Sequence, residues 1–521
     1  MGIISKLEQR PAPKRQARMY AAARASRLTA GWQAPNSSAD AELVSSLTTL
    51  RGRSRALVRD AAYAKRAKVI VQNNVIGAGI GMQAQVMSTR DTLREDINDA
   101  IEEAWRQWCY AEQCHTGGTL CFADLERAVM GQIFETGEVF IRKHYRAFGN
   151  SRVPFALELI EPERIADELA QAGPGRAGGF VRMGIEVDDF YRPLGYWIRR
   201  RHPSEFRLGV YETDLLEWVP ASQVIHVRIP VDRWPQTRGE PWLHAVAKRL
   251  NDMDGYSDAE ITAARGAAAY MGVHKKRDPV SSLATTDAQG NRHIDLEPGT
   301  VAEIYDDEEF EIVAPNRPNP NMDPFMRLML REICAGAGPS YESISRDYSQ
   351  SNFSSNQIAV HEDRDLWRVI QQCFIRNFRQ PLHREWLQQA VLGRAIPQIR
   401  IEEYAVDAGK FEAVSFKPRG WGWVRPREDV PAMIEAHKAG FLPMGDIIAM
   451  TCNGKDFWDV MKQIQYERDV MKQLGLTFTT SPEVYVNAEK PAEPPDKEPP
   501  EAEDDPDKTD DPQSRVVSFV R

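Results

Sequence analysis

The 521-residue sequence contains no apolar run of the length that crosses a bilayer. A membrane-spanning helix needs about 20 consecutive apolar residues, so the chain is not expected to be a membrane protein by itself. No apolar segment follows the basic N-terminus, which argues against a secretory signal and predicts synthesis in the cytoplasm. Cysteine is scarce, at six residues, and a disulfide framework is therefore not expected.

The motifs of common catalytic centres are also absent. Residues 453–455 (Asn-Gly-Lys) lack both the upstream glycine and the following hydroxyl residue of an ATP-binding loop. Neither H-E-x-x-H nor G-x-S-x-G occurs. The spacing of one stretch rich in thiols matches no established zinc pattern: Cys109, Cys114, His115 and Cys121. The sequence therefore predicts no catalytic residue, no metal site and no cofactor.

A basic surplus is missing as well, since the net charge is −9. A protein that grips duplex DNA by its phosphates normally carries excess Lys and Arg, so tight non-specific DNA binding is disfavoured. A conduit through which DNA must slide has the opposite requirement, because strong phosphate contacts would add friction at every step. The acidity is compatible with such a channel.

The sequence does contain a mixture of helical and strand periodicities. Residues 41–71 are rich in Ala, Arg and Leu and contain no proline, which predicts a helix. An apolar stripe at helical spacing predicts another helix packed in the core: Ile97, Ala100, Ile101, Ala104, Trp105 and Trp108. An apolar period of two predicts strands at 139–145, 155–160, 183–187, 194–198 and 224–227. The predicted fold class is α+β.

Residues 74–81 (Asn-Val-Ile-Gly-Ala-Gly-Ile-Gly) have some likeness to a dinucleotide-binding loop. The third glycine comes one residue early, and the segment follows a predicted helix instead of a strand. We therefore interpret Gly77 and Gly79 as parts of a turn that leads into a strand.

Capping signals divide the second half of the chain into helices. A long Ala-rich helix is predicted over 243–274, with Pro241 in its first turn, and another begins at Asp323 and Pro324. Ser354 and Gln357 have capping-box spacing and open a long helix. A proline within that helix, Pro381, should kink it. Short helices are predicted at 427–439, 445–452 and 456–474.

Two further segments are predicted to be irregular or extended. A hairpin is expected at 300–305 and 310–313, around the acidic turn 306–309. Residues 488–513 hold eleven acidic residues against three lysines together with many prolines, which predicts disorder.

Several of these segments resemble motifs of the portal proteins of lambda-like tailed phages, in the same order along residues 50–475. The matching positions include Gly77, Gly79, Gln236, Arg238, Gly239, Pro241, Trp242, Asp347, Tyr348, Ser349, Asn352, Ser354 and Ser355. The stretch 184–196 and the Trp-x-Trp at 421–423 add to the resemblance. The chain departs from the family pattern where Pro235 replaces a glycine and Arg425 replaces an aspartate.

The resemblance implies a portal-type α+β subunit. Its parts would be a basic arm (1–40), an α/β wing (41–240), a stem helix (241–276), a small β-containing clip (277–321), a second stem helix (322–338), a channel loop (339–353), a long kinked helix with the wing return (354–424), an α-helical crown (425–476) and a disordered acidic tail (477–521).

The family further implies a ring, usually of twelve subunits, at one capsid vertex of the virion, assembled in the host cytoplasm. Expected partners are the terminase large subunit, a head-completion or connector protein, and the major capsid and scaffolding proteins. Double-stranded DNA would pass through the ring non-specifically. The alternatives are a capsid or head-tail adaptor protein without a channel and, third, a phage DNA-processing enzyme, for which the sequence offers no carboxylate cluster or nucleotide loop.

The channel loop supplies the candidate site residues. Ser, Tyr, Asn and Gln side chains can form weak, reversible hydrogen bonds to phosphates, and Arg346 could add a phosphate contact that Asp347 partly neutralises. The residues predicted to line or border the channel are Arg346, Asp347, Tyr348, Ser349, Gln350, Ser351 and Asn352. The alternative is an ordinary surface loop outside the ring.

Overall fold

The computed structural model describes residues 27, 36–89, 92–170, 175–208, 216–229, 233–269, 273–276, 285–286, 292–293, 308–311, 319–422, 425–451 and 457–475. Most of the predicted arm, most of the clip, the tail, Trp423 and the predicted strand 300–305 lie outside these residues. The chain divides into two compact units, Met1–Phe457 and Trp458–Arg521.

The helices are α1 (Ala39–Asp60), α2 (Ala62–Val75), α3 (Glu95–Trp108), α4 (Ala111–Cys114), α5 (Phe122–Thr136), α6 (Ala247–Ala269), α7 (Met322–Ala337), α8 (Tyr341–Ser345), α9 (Phe353–Phe374), α10 (Gln380–Leu392), α11 (Ile401–Val406), α12 (Ala408–Phe411), α13 (Pro426–Lys438), α14 (Met444–Thr451) and α15 (Phe457–Leu474). Among the described residues, no helix is both long and apolar enough to cross a membrane.

The strands are β1 (Gly81–Ala84), β2 (Met87–Thr89), β3 (Thr92–Leu93), β4 (Glu138–His144), β5 (Ala156–Ile160), β6 (Phe180–Arg182), β7 (Ile185–Val187), β8 (Pro193–Arg199), β9 (Leu216–Pro220), β10 (Val224–Arg228), β11 (Val273–Lys276), β12 (Thr285–Thr286), β13 (Arg292–His293), β14 (Glu308–Glu311) and β15 (Val414–Lys417).

Two antiparallel sheets dominate the strand part of the fold. One has the order β10-β4-β5 and the other the order β6-β7-β8-β9. Apolar side chains from both sheets form a small shared core, which includes Phe140, Ile185, Tyr196 and Val219. The predicted α+β class is confirmed.

A larger core joins the first sheet to the helices. The stripe predicted around residue 97 is confirmed, because Ile97, Ile101, Trp105 and Trp108 are buried on α3. The rings of Trp105 and Trp108 contact aromatic rings of other helices. The ring centroids of Trp105 and Trp386 are 4.9 Å apart. Core helices from distant parts of the chain are thereby held against one another.

The prediction of a single helix over residues 41–71 is wrong in one respect. Ala61 adopts an extended conformation, with φ −92° and ψ 121°, and separates α1 from α2. Ala61 is itself buried, so tertiary packing and not a local breaker residue causes the interruption. The start of α1 has an ordinary cap, since the Ser38 hydroxyl accepts a hydrogen bond from the Ala41 amide at 3.3 Å.

Strand predictions in the sheets are mostly confirmed to within a residue or two, and one is wrong. The predicted strand 183–187 includes a turn at Met183 and Gly184, which have φ values of 44° and 77°. Both lie in the left-handed region, so the chain reverses there between β6 and β7. The strand β9 was not predicted.

The long Ala-rich helix is shorter than predicted at both ends. It begins at Ala247, not Leu243, and residues 273–276 form β11. That strand pairs antiparallel with β14, with Lys275 opposite Glu309. The predicted acidic turn at 306–309 is therefore wrong, because Glu308 and Glu309 lie in a strand. No proline lies between α6 and this strand to mark where the helix ends.

The helix after the channel loop contains an irregularity ahead of Pro381. Residues Ile375–Arg379 form a π-helical turn between α9 and α10. Pro381 has no amide hydrogen for the carbonyl four residues earlier, which belongs to this turn. The irregularity predicted at Pro381 is therefore present, as a widened helical turn that precedes the proline. The three predicted C-terminal helices agree within a residue with α13, α14 and α15.

Candidate channel loop and its supports

The connecting loop, defined here as residues 339–352, joins α7 to α9 and contains the short helix α8. Its first part is fixed by Asp363 of α9, whose carboxylate accepts hydrogen bonds from the Ser340 amide (2.9 Å) and hydroxyl (2.8 Å). The Ser343 hydroxyl donates to the same carboxylate at 2.9 Å. Ile344 is buried beneath them. The base of the loop is therefore anchored, and α8 was not anticipated from its polar sequence.

Asp347 organises the second part of the loop. Its carboxylate accepts hydrogen bonds from the Ser349 amide and the Tyr341 hydroxyl, both at 3.0 Å. These bonds, with those from Ser349 the largest cause, lower the pKa of Asp347 to about 2. The ion pair of this carboxylate is with Arg327 of α7, at 3.6 Å, and not with Arg346. Asp347 thus holds the loop together.

The other predicted loop residues present side chains outward. Arg346, Tyr348, Ser349, Gln350 and Asn352 are exposed, and Ser351 is half-buried. Arg346 has a φ of 58° and ends α8 in a left-handed conformation. The Gln350 side chain accepts a bond from Arg331 of α7 at 3.3 Å. The loop therefore forms a ridge of neutral polar groups with one exposed cation.

The cap of α9 differs from the prediction. The Asn352 side chain accepts a hydrogen bond from the Ser355 amide at 2.7 Å, so Asn352 is the N-cap and Ser354 lies within the helix. Asn is among the residues that best satisfy the free amides of a first turn. The family-motif position Asn352 thereby fixes where the loop ends.

One cation beside the loop comes from a distant part of the sequence. Arg66 of α2 donates a hydrogen bond from Nε to the Ser343 carbonyl at 3.3 Å. Burial and the nearby charge of Arg346 both lower the pKa of Arg66. The two guanidinium groups thus share one region of the loop. No local sequence signal indicates this juxtaposition.

The motif residue Arg238 belongs to a buried ionic network. Its guanidinium is fully buried and lies 2.8 Å from the Glu138 carboxylate, which also binds Arg51. Asp167 contacts both arginines. Burial alone would raise the pKa of Glu138, but Arg238, a hydrogen bond from His226 and Arg51 outweigh it and hold that pKa well below its usual range.

Close backbone packing explains the glycine of the same motif. The Gly239 amide donates to Glu138 at 2.9 Å. A Cβ atom at Gly239 would lie 2.3 Å from the Gly137 carbonyl oxygen, which no side chain could tolerate. The neighbouring Gln236 is buried and donates to the Arg238 carbonyl at 2.9 Å. These residues stabilise the junction between sheet and helices.

Trp242 links this junction to the connecting loop. Its indole nitrogen donates to the carbonyl of Ala337, the last residue of α7, at 2.9 Å. Its ring stacks on Phe134 with centroids 5.9 Å apart. The prediction that Pro241 occupies the first turn of a helix is wrong, since α6 starts at Ala247. The motif instead positions the end of α7, where the loop begins.

Gly77 and Gly79 form a turn after α2, with φ values of 65° and 118°. The Gly77 carbonyl accepts a bond from Arg127 at 2.7 Å. The segment then enters β1, so its order is helix, turn, strand. A dinucleotide loop requires the order strand, turn, helix, and the turn interpretation fits the geometry.

The thiols of the Cys109–Cys121 stretch point to oxygen atoms in their own surroundings. Cys114 Sγ lies 3.5 Å from the Leu120 carbonyl, and Cys121 Sγ lies 3.0 Å from an Asp124 carboxylate oxygen. Burial raises the pKa of Cys114 to about 12.

Comparison with known sequences decides the family. The profile described as phage portal protein, lambda family, matches residues 25–371. The chain belongs to this family of phage portal proteins. The family is structural and not enzymatic.

Two relatives that resemble the chain in sequence are described as portal proteins. The chain is 29% identical over 471 residues to a probable portal protein of Halomonas phage phiHAP-1, covering 88% of each sequence. It is 21% identical over 400 residues to portal protein B of Escherichia phage lambda, covering 70% of this chain and 73% of that one. A solved chain from the neck of a native gene transfer agent particle, computed with C12 symmetry, matches with 14% identity and a TM-score of 0.40, covering 76% and 93% of the two chains.

Proposed function

We propose that this portal subunit assembles into a closed ring, with the connecting loop bordering a central channel for duplex DNA. The observation that carries the proposal is a ridge of exposed polar side chains whose base is fixed to Asp363 and Arg327. Anchoring keeps the ridge in place while a polymer moves past it. The alternative position, on the outer surface, is distinguished by the labelling experiment below.

The exposed polar side chains of the ridge are suited to DNA that slides past them. Hydroxyl and amide groups exchange hydrogen bonds readily between phosphates and water, so no position along the DNA is strongly preferred. Arg346 adds one exposed cation per subunit, and Asp347 is already engaged by Arg327. One cation per subunit attracts DNA with fewer phosphate contacts than the clusters of Lys and Arg that produce tight non-specific binding.

Exposed apolar side chains on α7 and α9 support contacts between subunits. Leu328 is 65% exposed, and Ile358 and Val369 are exposed to a similar degree. A ring uses a heterologous interface, in which one face of each subunit meets a different face of the next. We propose that these apolar side chains are buried there, in a ring of twelve copies.

The ring would lie at one capsid vertex of the virion and would be assembled in the host cytoplasm. We propose the terminase large subunit and a head-completion protein as successive partners at residues 277–321. Capsid and scaffolding proteins would hold the ring from outside. The described strands of the docking segment are β12, β13 and β14; β12 pairs with β13, and β14 pairs with β11, which precedes the segment.

Cysteine labelling tests the position of the loop. In a variant without native cysteines, Ser349→Cys or Ser351→Cys should react with a bulky thiol reagent in empty particles and become protected in DNA-filled particles. The exposed control Val406→Cys, at a position 89% exposed on α11, should react equally in both. Unchanged reactivity at positions 349 and 351 would place the loop outside the channel.

Deletion of residues 281–293 tests the docking segment. We expect rings to assemble at normal yield while DNA packaging falls to background, because the terminase would lose its contact surface. Ring yield is measured by mass photometry and packaging by nuclease-protected DNA. Normal DNA filling with this deletion would refute the assignment.

A further inference from the structure

A groove beside Trp421 combines cationic and aromatic lining residues, a combination that a DNA channel does not require. It encloses about 570 Å³ between α9 and the segment 416–422, and residues of α13 and α14 line its other side. Four cationic side chains line it against two carboxylates: Arg364, Arg368, Lys417 and Arg419 against Asp429 and Asp446. The local charge is therefore opposite in sign to the net charge of the chain.

Two of these arginines lie side by side over one aromatic ring. The guanidinium carbons of Arg364 and Arg368 are 5.9 Å and 5.8 Å from the centroid of Trp421. Like charges one helical turn apart destabilise a helix. Burial, and then the charge of Arg368, lower the pKa of Arg364. An anion between the two groups would relieve this repulsion.

The present contacts of the two arginines leave room for such an anion. Arg364 donates to the Gly422 carbonyl at 3.2 Å, and its Nε atom is buried without a hydrogen-bond partner. Arg368 pairs with Asp365, whose side chain is 75% exposed. An exposed pair of this kind contributes at most about 1 kcal/mol, so a better-placed carboxylate can replace it.

The remaining walls are partly apolar. Phe416, Trp421 and Met433 offer a surface for an aliphatic or aromatic side chain. The volume falls within the range of about 300–1,000 Å³ that is typical of ligand pockets. It cannot enclose a DNA duplex. Asp429 and Asp446 would also repel a continuous phosphate backbone, whereas a peptide can present carboxylates on one side only.

We propose that the Trp421 groove binds an acidic peptide segment of a partner protein. Two of its carboxylates meet Arg364 and Arg368, and an apolar residue between them lies against Trp421. Arg364 is eleven residues after Phe353, about 16 Å along the helix at about 1.5 Å per residue. The bound segment therefore contacts the helix that carries the connecting loop.

The test uses fluorescence anisotropy with the full-length assembled protein. The probe is a labelled dodecapeptide of alternating Glu and Asp with Leu at its centre, and the control probe has Lys at every acidic position. We expect Arg364→Gln with Arg368→Gln to weaken binding by at least about tenfold, because two charge-assisted hydrogen bonds are lost. The matched control Arg384→Gln removes an exposed arginine of α10 outside the groove and should change affinity by less than about twofold.

A substitution that is expected to strengthen binding distinguishes a change in the groove from general damage to the fold. Asp446→Asn removes an exposed repelling carboxylate and should strengthen binding of the acidic probe by about two- to threefold. Three results would overturn the proposal: no binding of the acidic probe by the wild type, equal losses in the Arg384→Gln control, or displacement of the probe by a duplex oligonucleotide.

Discussion

Replacing Glu138 by alanine is expected to lower the free energy of unfolding by about 3–5 kcal/mol, because it leaves buried charges uncompensated. Arg51 and Arg238 have side chains that are 1% and 0% exposed and share this carboxylate. The Gly239 amide would also lose its acceptor. Urea and thermal unfolding of the purified chain measure the effect, and the yield of soluble protein should fall.

Two controls identify the cause. Glu103→Ala removes the carboxylate of an exposed pair with Arg106 and should cost less than about 1 kcal/mol. Combining Glu138→Ala with Arg238→Met should cost less than the sum of the single changes, because the substitutions remove both partners of one interaction. Additive effects would contradict the network.

The same network gives a pH dependence of defined sign. Since the folded protein holds the pKa of Glu138 below its unfolded value of about 4.3, the stabilisation is present above that value. It is lost as the pH falls toward the folded pKa. Stability should therefore decline more steeply in acid for the wild type than for Glu138→Ala.

Replacing Leu328 by glutamate is expected to convert rings into monomers. Transfer of a leucine into an interface contributes about 1.5–3 kcal/mol, and a carboxylate at the same position must also lose its hydration. The penalty recurs at every interface of a closed ring. Because Leu328 is 65% exposed in the subunit, the thermal midpoint of the isolated subunit should hardly change.

Mass photometry distinguishes assembly from folding in this experiment. Val406→Glu introduces the same charge at a side chain that is 89% exposed on α11, and rings should persist. Rings of undiminished stability in Leu328→Glu would show that the exposed apolar residues of α7 do not form the interface.

Local signals in the sequence predicted α7 and the three C-terminal helices well. α7 starts with Pro324 in its first turn and ends before Gly338, and the bounds predicted for α13, α14 and α15 agree within a residue. Proline and glycine act through backbone geometry that any sequence context preserves. Ala61 interrupts the first helix without either residue, and it is buried in the core.

The candidate loop could be predicted by motif, but its contacts could not. Asp347 was expected near Arg346, yet it binds Arg327, Tyr341 and Ser349. Arg66 reaches Ser343 across 277 positions of sequence. Periodicity and capping rules act over a few residues and carry no information about such long-range pairs.

We propose above that this chain forms a ring whose channel is bordered by the connecting loop. Electron cryo-microscopy of the purified full-length protein tests it most directly. We expect closed rings with an opening wide enough for duplex DNA and with Arg346 and Tyr348 facing that opening. Monomers at micromolar concentration across a range of salt, or rings with this loop on the outer surface, would contradict it.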